Sequence, residues 1–63
     1  MDELWKPEDL AEIFGTSVQV WAARRHKGTG PNFVKLGRRI YYRRADVEKW
    51  IESNVRSRTD VRA

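Results

Sequence analysis

Glycine punctuation constrains this sequence more than any other feature. Gly15, the run Gly28-Thr29-Gly30-Pro31 and Gly37 leave no unbroken stretch longer than 14 residues before position 38. Glycine readily takes left-handed or open backbone conformations, and proline lacks a backbone donor, so neither helix nor strand continues through such a run. Short elements must therefore meet at tight corners. The first piece, Lys6 to Phe14, has Pro7 where a helix tolerates it, in the first turn. Glu8 and Asp9 follow near the positive end of the helix dipole. Leu10, Ala11 and Phe14 form an apolar stripe, which predicts a helix over 7–14 stopped by Gly15.

Ser17 is a good N-cap for a second helix, running from Val18 to about Lys27. A period of 3.6 residues puts Trp21 on the inner face, with Ser17, Val18, Arg24 and Arg25 near it. Gln19, Ala22, Ala23 and His26 fall on the outer face. An outward face with two alanines lets a bulky partner approach closely. Phe33 to Leu36 and Arg39 to Tyr42 are rich in strand formers and flank Gly37-Arg38, which predicts a tight hairpin with a basic tip. Phe33 or Val34, Leu36, Ile40 and one of Tyr41 and Tyr42 are expected to face the core. Ala45 to Ser53 reads as a third helix whose inner stripe is Val47, Trp50 and Ile51, ending at Asn54. Asp46 and Glu48 in its first turn suit the dipole. Leu4 and Trp5 belong to an extended lead-in that docks on the body. The order helix, Gly turn, helix, hairpin, helix spells a winged helix-turn-helix: a small, mostly helical α+β domain with three short helices and a two-stranded β-hairpin wing. It is expected to span 1–54, with 55–63 as a flexible basic tail.

Composition narrows the function classes. Sixty-three residues make one domain, which buries only about 60% of the surface of its unfolded chain and has no room for a deep catalytic cleft. There is no cysteine and a single histidine, His26, so thiolate metal sites and disulfides are excluded and histidine-based catalysis is unexpected. The reading is of a protein that is not an enzyme and needs no cofactor and no metal. No run of about 18 apolar residues is present, and the acidic N-terminus has no apolar signal core, so a cytoplasmic protein is expected. The net charge of +4 is unevenly spread: residues 1–12 carry −4, whereas residues 24–44 carry eight bases and no acid. Such a block favours a polyanion partner and speeds encounter with it.

A helix fits the DNA major groove, where each base pair presents a distinct donor and acceptor pattern. Gln19 suits adenine N6 and N7, Val20, Ala22 and Ala23 suit a thymine methyl, and Arg25 or His26 can reach guanine or phosphate. The hairpin tip, with Arg38 and Arg39, suits the adjacent minor groove. Lys27, Lys35, Arg43 and Arg44 are placed for phosphate contacts, which position a protein without reading sequence. The tryptophans are read as packing residues, and the acidic pair Asp9 and Glu12 as an exposed turn. A surface tyrosine of the hairpin leaves stacking on single-stranded nucleic acid open.

Three stretches carry a family resemblance: Lys6-Pro7-Glu8-Asp9-Leu10-Ala11-Glu12-Ile13-Phe14-Gly15-Thr16-Ser17; Gly28-Thr29-Gly30-Pro31-Asn32-Phe33-Val34-Lys35-Leu36-Gly37-Arg38-Arg39-Ile40-Tyr41-Tyr42; and Arg43-Arg44-Ala45-Asp46-Val47-Glu48-Lys49-Trp50-Ile51. Together they resemble the excisionase-type winged-helix proteins of the MerR-like superfamily, which include phage recombination directionality factors and AlpA-like regulators. The resemblance covers roughly residues 4–53. It implies double-stranded DNA binding at adjacent attachment-site repeats, DNA bending, assistance to a tyrosine integrase in the excision direction and no catalysis. It also implies head-to-tail self-association on DNA. Carried over by position, it implicates Gln19, Val20, Ala23 and His26 of the recognition helix and Arg38 and Arg39 of the wing. Ser17, Arg24, Arg25, Lys27, Lys35 and Arg43 complete the expected DNA-binding set. Many relatives have an apolar aromatic where this chain has Arg24, so Trp21 is expected to take over that packing. MerR-type activators need a dimerisation helix and an effector domain, so a chain of this length is expected to serve as an architectural accessory. The alternatives are a small phage or mobile-element transcriptional regulator, and a protein-interaction module using Trp5 and the tail.

Overall fold

The computed structural model describes residues 3–55. Its elements are β1 (Leu4–Trp5), α1 (Pro7–Phe14), α2 (Val18–Lys27), β2 (Val34–Leu36), β3 (Arg39–Arg43) and α3 (Arg44–Ser53). The winged helix-turn-helix architecture is present, and the helix bounds over 7–14 and 18–27 agree with the sequence reading.

Local chemistry sets these bounds. Before α1, the backbone N–H of Lys6 donates to Asp9 Oδ2 at 2.9 Å, the carboxylate half of a capping box. Gly15 ends α1 at φ 67°, and the N–H of Thr16 donates to the Ala11 carbonyl at 2.8 Å. The chain turns at once into α2, where Ser17 Oγ accepts from the N–H of Val20 at 3.3 Å. The turn is tied to the core by Trp21, whose Nε1 donates to Thr16 Oγ1 at 2.9 Å. A helix-turn-helix corner therefore follows from one positive-φ glycine, one cap and one buried tryptophan.

The sheet departs from expectation. The lead-in is a third strand, and the order β1-β3-β2 puts the longest strand in the middle. Leu4 pairs with Arg43 and Trp5 with Tyr42; on the other side Val34 pairs with Tyr41, Lys35 with Ile40 and Leu36 with Arg39, all antiparallel. The hairpin alone would leave the inner edge of β3 unpaired, and Leu4 and Trp5 satisfy it. The N–H of Arg44 donates to the Glu3 carbonyl at 3.0 Å, so β1 also holds the start of α3, one residue earlier than expected.

The core is small: Leu10, Trp21, Tyr42 and Val47 are fully buried, with Trp5, Ala11, Ile40 and Trp50 packed around them. Phe14 is half-exposed but lays its ring 5.5 Å from Trp21 and 6.3 Å from Trp50, centroid to centroid. Two inward assignments are corrected. Leu36 is 52% exposed, because β2 ends there and its partner Arg39 already lies at the hairpin tip, beyond the helices. Ile51 is 42% exposed, because α3 turns Asp46, Val47 and Trp50 inward instead. Asp46 goes inward with a partner: its Oδ2 accepts from Arg43 Nε at 2.7 Å, so the buried carboxylate is paired. Of the two tyrosines, Tyr42 is buried and Tyr41 half-buried. No described helix is long and apolar enough to cross a membrane. Apart from the exposed Val55, the expected tail over 55–63 lies outside the described residues.

Candidate nucleic-acid interface

Trp21 anchors α2 so that Gln19, Ala22, Ala23, His26 and Lys27 are all exposed, while Val20 is half-buried. The outer face inferred from helical periodicity is therefore open. It is narrow and built of small side chains between one amide and one imidazole. Ser17 is exposed, with its hydroxyl engaged in capping.

Arg24 and Arg25 face the other way. The Arg24 guanidinium carbon lies 5.3 Å from the Trp21 ring centroid and 5.4 Å from that of Trp50. At such distances the ring faces attract the cation. Arg25 Nη1 donates to Tyr42 Oη at 2.9 Å, and its guanidinium carbon is 5.9 Å from the Phe33 ring centroid. These contacts link α2 to α3 and to the sheet, and so fix α2 relative to the wing. Sequence reasoning did not find this link. Arg25 and Tyr42 are 17 residues apart, and no local pattern signals their contact.

The wing tip forms where Gly37 takes φ 65°, a conformation that residues with a Cβ rarely adopt. Lys35, Arg38 and Arg39 stand exposed around it. Neither they nor Lys27 are ion-paired among the described residues. Arg43 and Arg44 differ. Arg43 holds Asp46, and Arg44 Nε lies 3.0 Å from Glu48 Oε2 with Nη1 3.8 Å from Glu3 Oε1. Both guanidinium groups remain about half-exposed. The free charge of the basic block is thus concentrated at the end of α2 and on the wing. Among the described residues no group of three acidic or histidine side chains is arranged to hold a metal.

No curated protein and no solved structure matches the chain. Residues 6–55 match the helix-turn-helix domain family, a span that takes in every element but β1. With that match over most of its length, a capped α1–α2 corner and an open second helix, the chain belongs to the helix-turn-helix domain family of DNA-binding proteins.

Proposed function

We propose that this protein is a sequence-specific double-stranded DNA-binding and DNA-bending factor of the excisionase kind. In this reading α2 enters the major groove and the wing the adjacent minor groove. The observation that carries it is the open face of α2 beside the unpaired Lys35, Arg38 and Arg39 of the wing. Gln19 reads a base, Val20 and Ala23 make apolar contact, and His26 and Lys27 meet the groove edge. Arg38 and Arg39 enter the minor groove, Lys35 touches a phosphate, and Arg43, expected on a phosphate, is instead held by Asp46. Ser17 has a structural part, fixing the first turn of the reading helix. A single module of this size covers only about 600–1,000 Å² of DNA-facing surface. Neighbouring copies on repeated sites, and a tyrosine integrase beside them, would supply the remaining affinity.

The family also accommodates small transcriptional regulators, and fold does not choose between the roles. The test is capture of sheared genomic DNA by the purified protein, followed by sequencing. Clustered direct repeats beside an integrase attachment site are the expected result. Enrichment of a single promoter operator would make the protein a regulator instead, and no enrichment of any sequence would overturn specific binding.

A further inference from the structure

Between the last turn of α2 and the loop over 28–33 lies a notch of about 260 Å³, lined by Arg24, Arg25, Gly30, Asn32 and Phe33 among others. Two arginines at successive positions of one helix line it. Neither is ion-paired to a carboxylate among the described residues. Arg24 Nε is buried and has no hydrogen-bond acceptor. Arg25 spends one N–H on a neutral hydroxyl, that of Tyr42, which leaves most of its donor fork unused. A partly buried cation without a counter-ion is costly, and ring faces compensate only part of its lost hydration. The rings also hold both guanidinium groups in place before any ligand arrives. Gly30 brings the loop against Arg24: a Cβ there would come within 3.0 Å of Arg24 Cβ.

We infer that this notch is a seat for one phosphodiester group of the nucleic-acid backbone, clamped by Arg25 and Arg24 with the Asn32 amide at its rim. The inference rests on the DNA-binding reading and deepens it. Of the guanine and phosphate roles open to Arg25 it selects phosphate, and it gives Arg24 a part in the same sequence-blind clamp, preorganised by Trp21, Trp50, Phe33 and Tyr42. A guanidinium fork matches phosphate geometry, and its weak hydration suits a half-buried seat. The sequence-specific contacts are then left to the outer face of α2.

The test combines a titration with a variant. Inorganic phosphate, followed by NMR of the side-chain Nε–H signals of the arginines, should shift Arg24 and Arg25 more than Arg38 and Arg39. A larger response at the wing would overturn the seat. On duplex DNA, Arg25→Gln should weaken binding about equally on preferred and random sequences, and should flatten the slope of log K against log[salt] by about 0.9. Tyr42→Phe, which keeps the charge and removes the hydroxyl, should weaken binding several-fold with the slope unchanged. Loss of sequence preference in Arg25→Gln would make Arg25 a base reader and sink the proposal. So would wild-type affinity and slope in that variant, although DNA binding itself would then stand. Should the wild-type protein bind phosphate but no DNA, the notch would be a free-anion site and the phosphodiester assignment wrong.

Discussion

At position 30 a missing side chain determines the geometry. A Cβ on Gly30 would lie 3.0 Å from Arg24 Cβ and 3.4 Å from Arg24 Cδ. The first of these atoms is fixed to the helix backbone and cannot swing aside. The neighbouring Thr29 ties the loop down twice, its N–H donating to the Arg24 carbonyl at 3.0 Å and its own carbonyl accepting from Trp50 Nε1 at 3.1 Å. Gly30→Ala should therefore destabilise the fold by about 1–3 kcal/mol, the usual cost of overpacking, read as a lowered urea midpoint. An unchanged midpoint would mean that the loop yields without cost. The sequence alone marks Gly30 only as a helix breaker, because the atom that excludes a side chain belongs to a residue six positions earlier in another element. Asp46 shows the same limit. Its place in the first turn of α3 suggests a solvated dipole partner, yet it is buried against Arg43. Asp46→Ala should cost about 1–2 kcal/mol in the same measurement. Half-exposure of the arginine holds the value toward the low end for a charged hydrogen bond.

Among the elements, the proposed function gives α2 and the wing separable work. Gln19 stands on the open face of α2, so Gln19→Ala should erode preference at one base pair by about 1–3 kcal/mol and leave random-sequence binding nearly intact. Arg38→Ala combined with Arg39→Ala should instead lower affinity for all sequences alike, because an arginine in the minor groove reads width and potential more than base identity. Competition binding with single-substitution duplexes distinguishes the two. Equal loss on random DNA from Gln19→Ala would show that α2 is not the reader. The two elements were legible in the sequence because their signals are local: a cap at Ser17, a tryptophan at Trp21, a Gly-Arg tip. The third strand was not, since Leu4 and Trp5 become strand only by pairing with residues 37 or more positions later. The rotation of α3 was missed for a related reason. Val47, Trp50 and Ile51 satisfy helical periodicity equally well, and Asp46 takes the inner place only because Arg43, at the end of β3, meets it there.

At the scale of the whole molecule, charge is segregated by element. The acids Glu8, Asp9 and Glu12 sit on α1, most bases of the 24–44 block lie on α2 and the wing, and α3 carries both signs. A molecule so polarised approaches a polyanion with one side foremost, which raises the rate of productive encounter. The structure also bounds how much of the eight-base block is available. Arg43 and Arg44 share their charge with carboxylates, and Arg24, beside the Trp21 and Trp50 rings, would meet the same single phosphate as Arg25, so the two count once. Arg25, Lys27, Lys35, Arg38 and Arg39 remain, about five cations able to displace counterions from DNA. Each phosphate neutralised contributes about −0.9 to the slope of log K against log[salt], so the protein should show a slope near −4.5 on a random duplex. Titration by fluorescence anisotropy between about 50 and 200 mM salt measures it. A slope near −6 would mean that the paired arginines, Arg43 and Arg44, release their carboxylates on binding, and that the Arg43–Asp46 contact opens on DNA. A slope near zero would remove the nucleic-acid reading altogether and leave the basic face without an electrostatic partner.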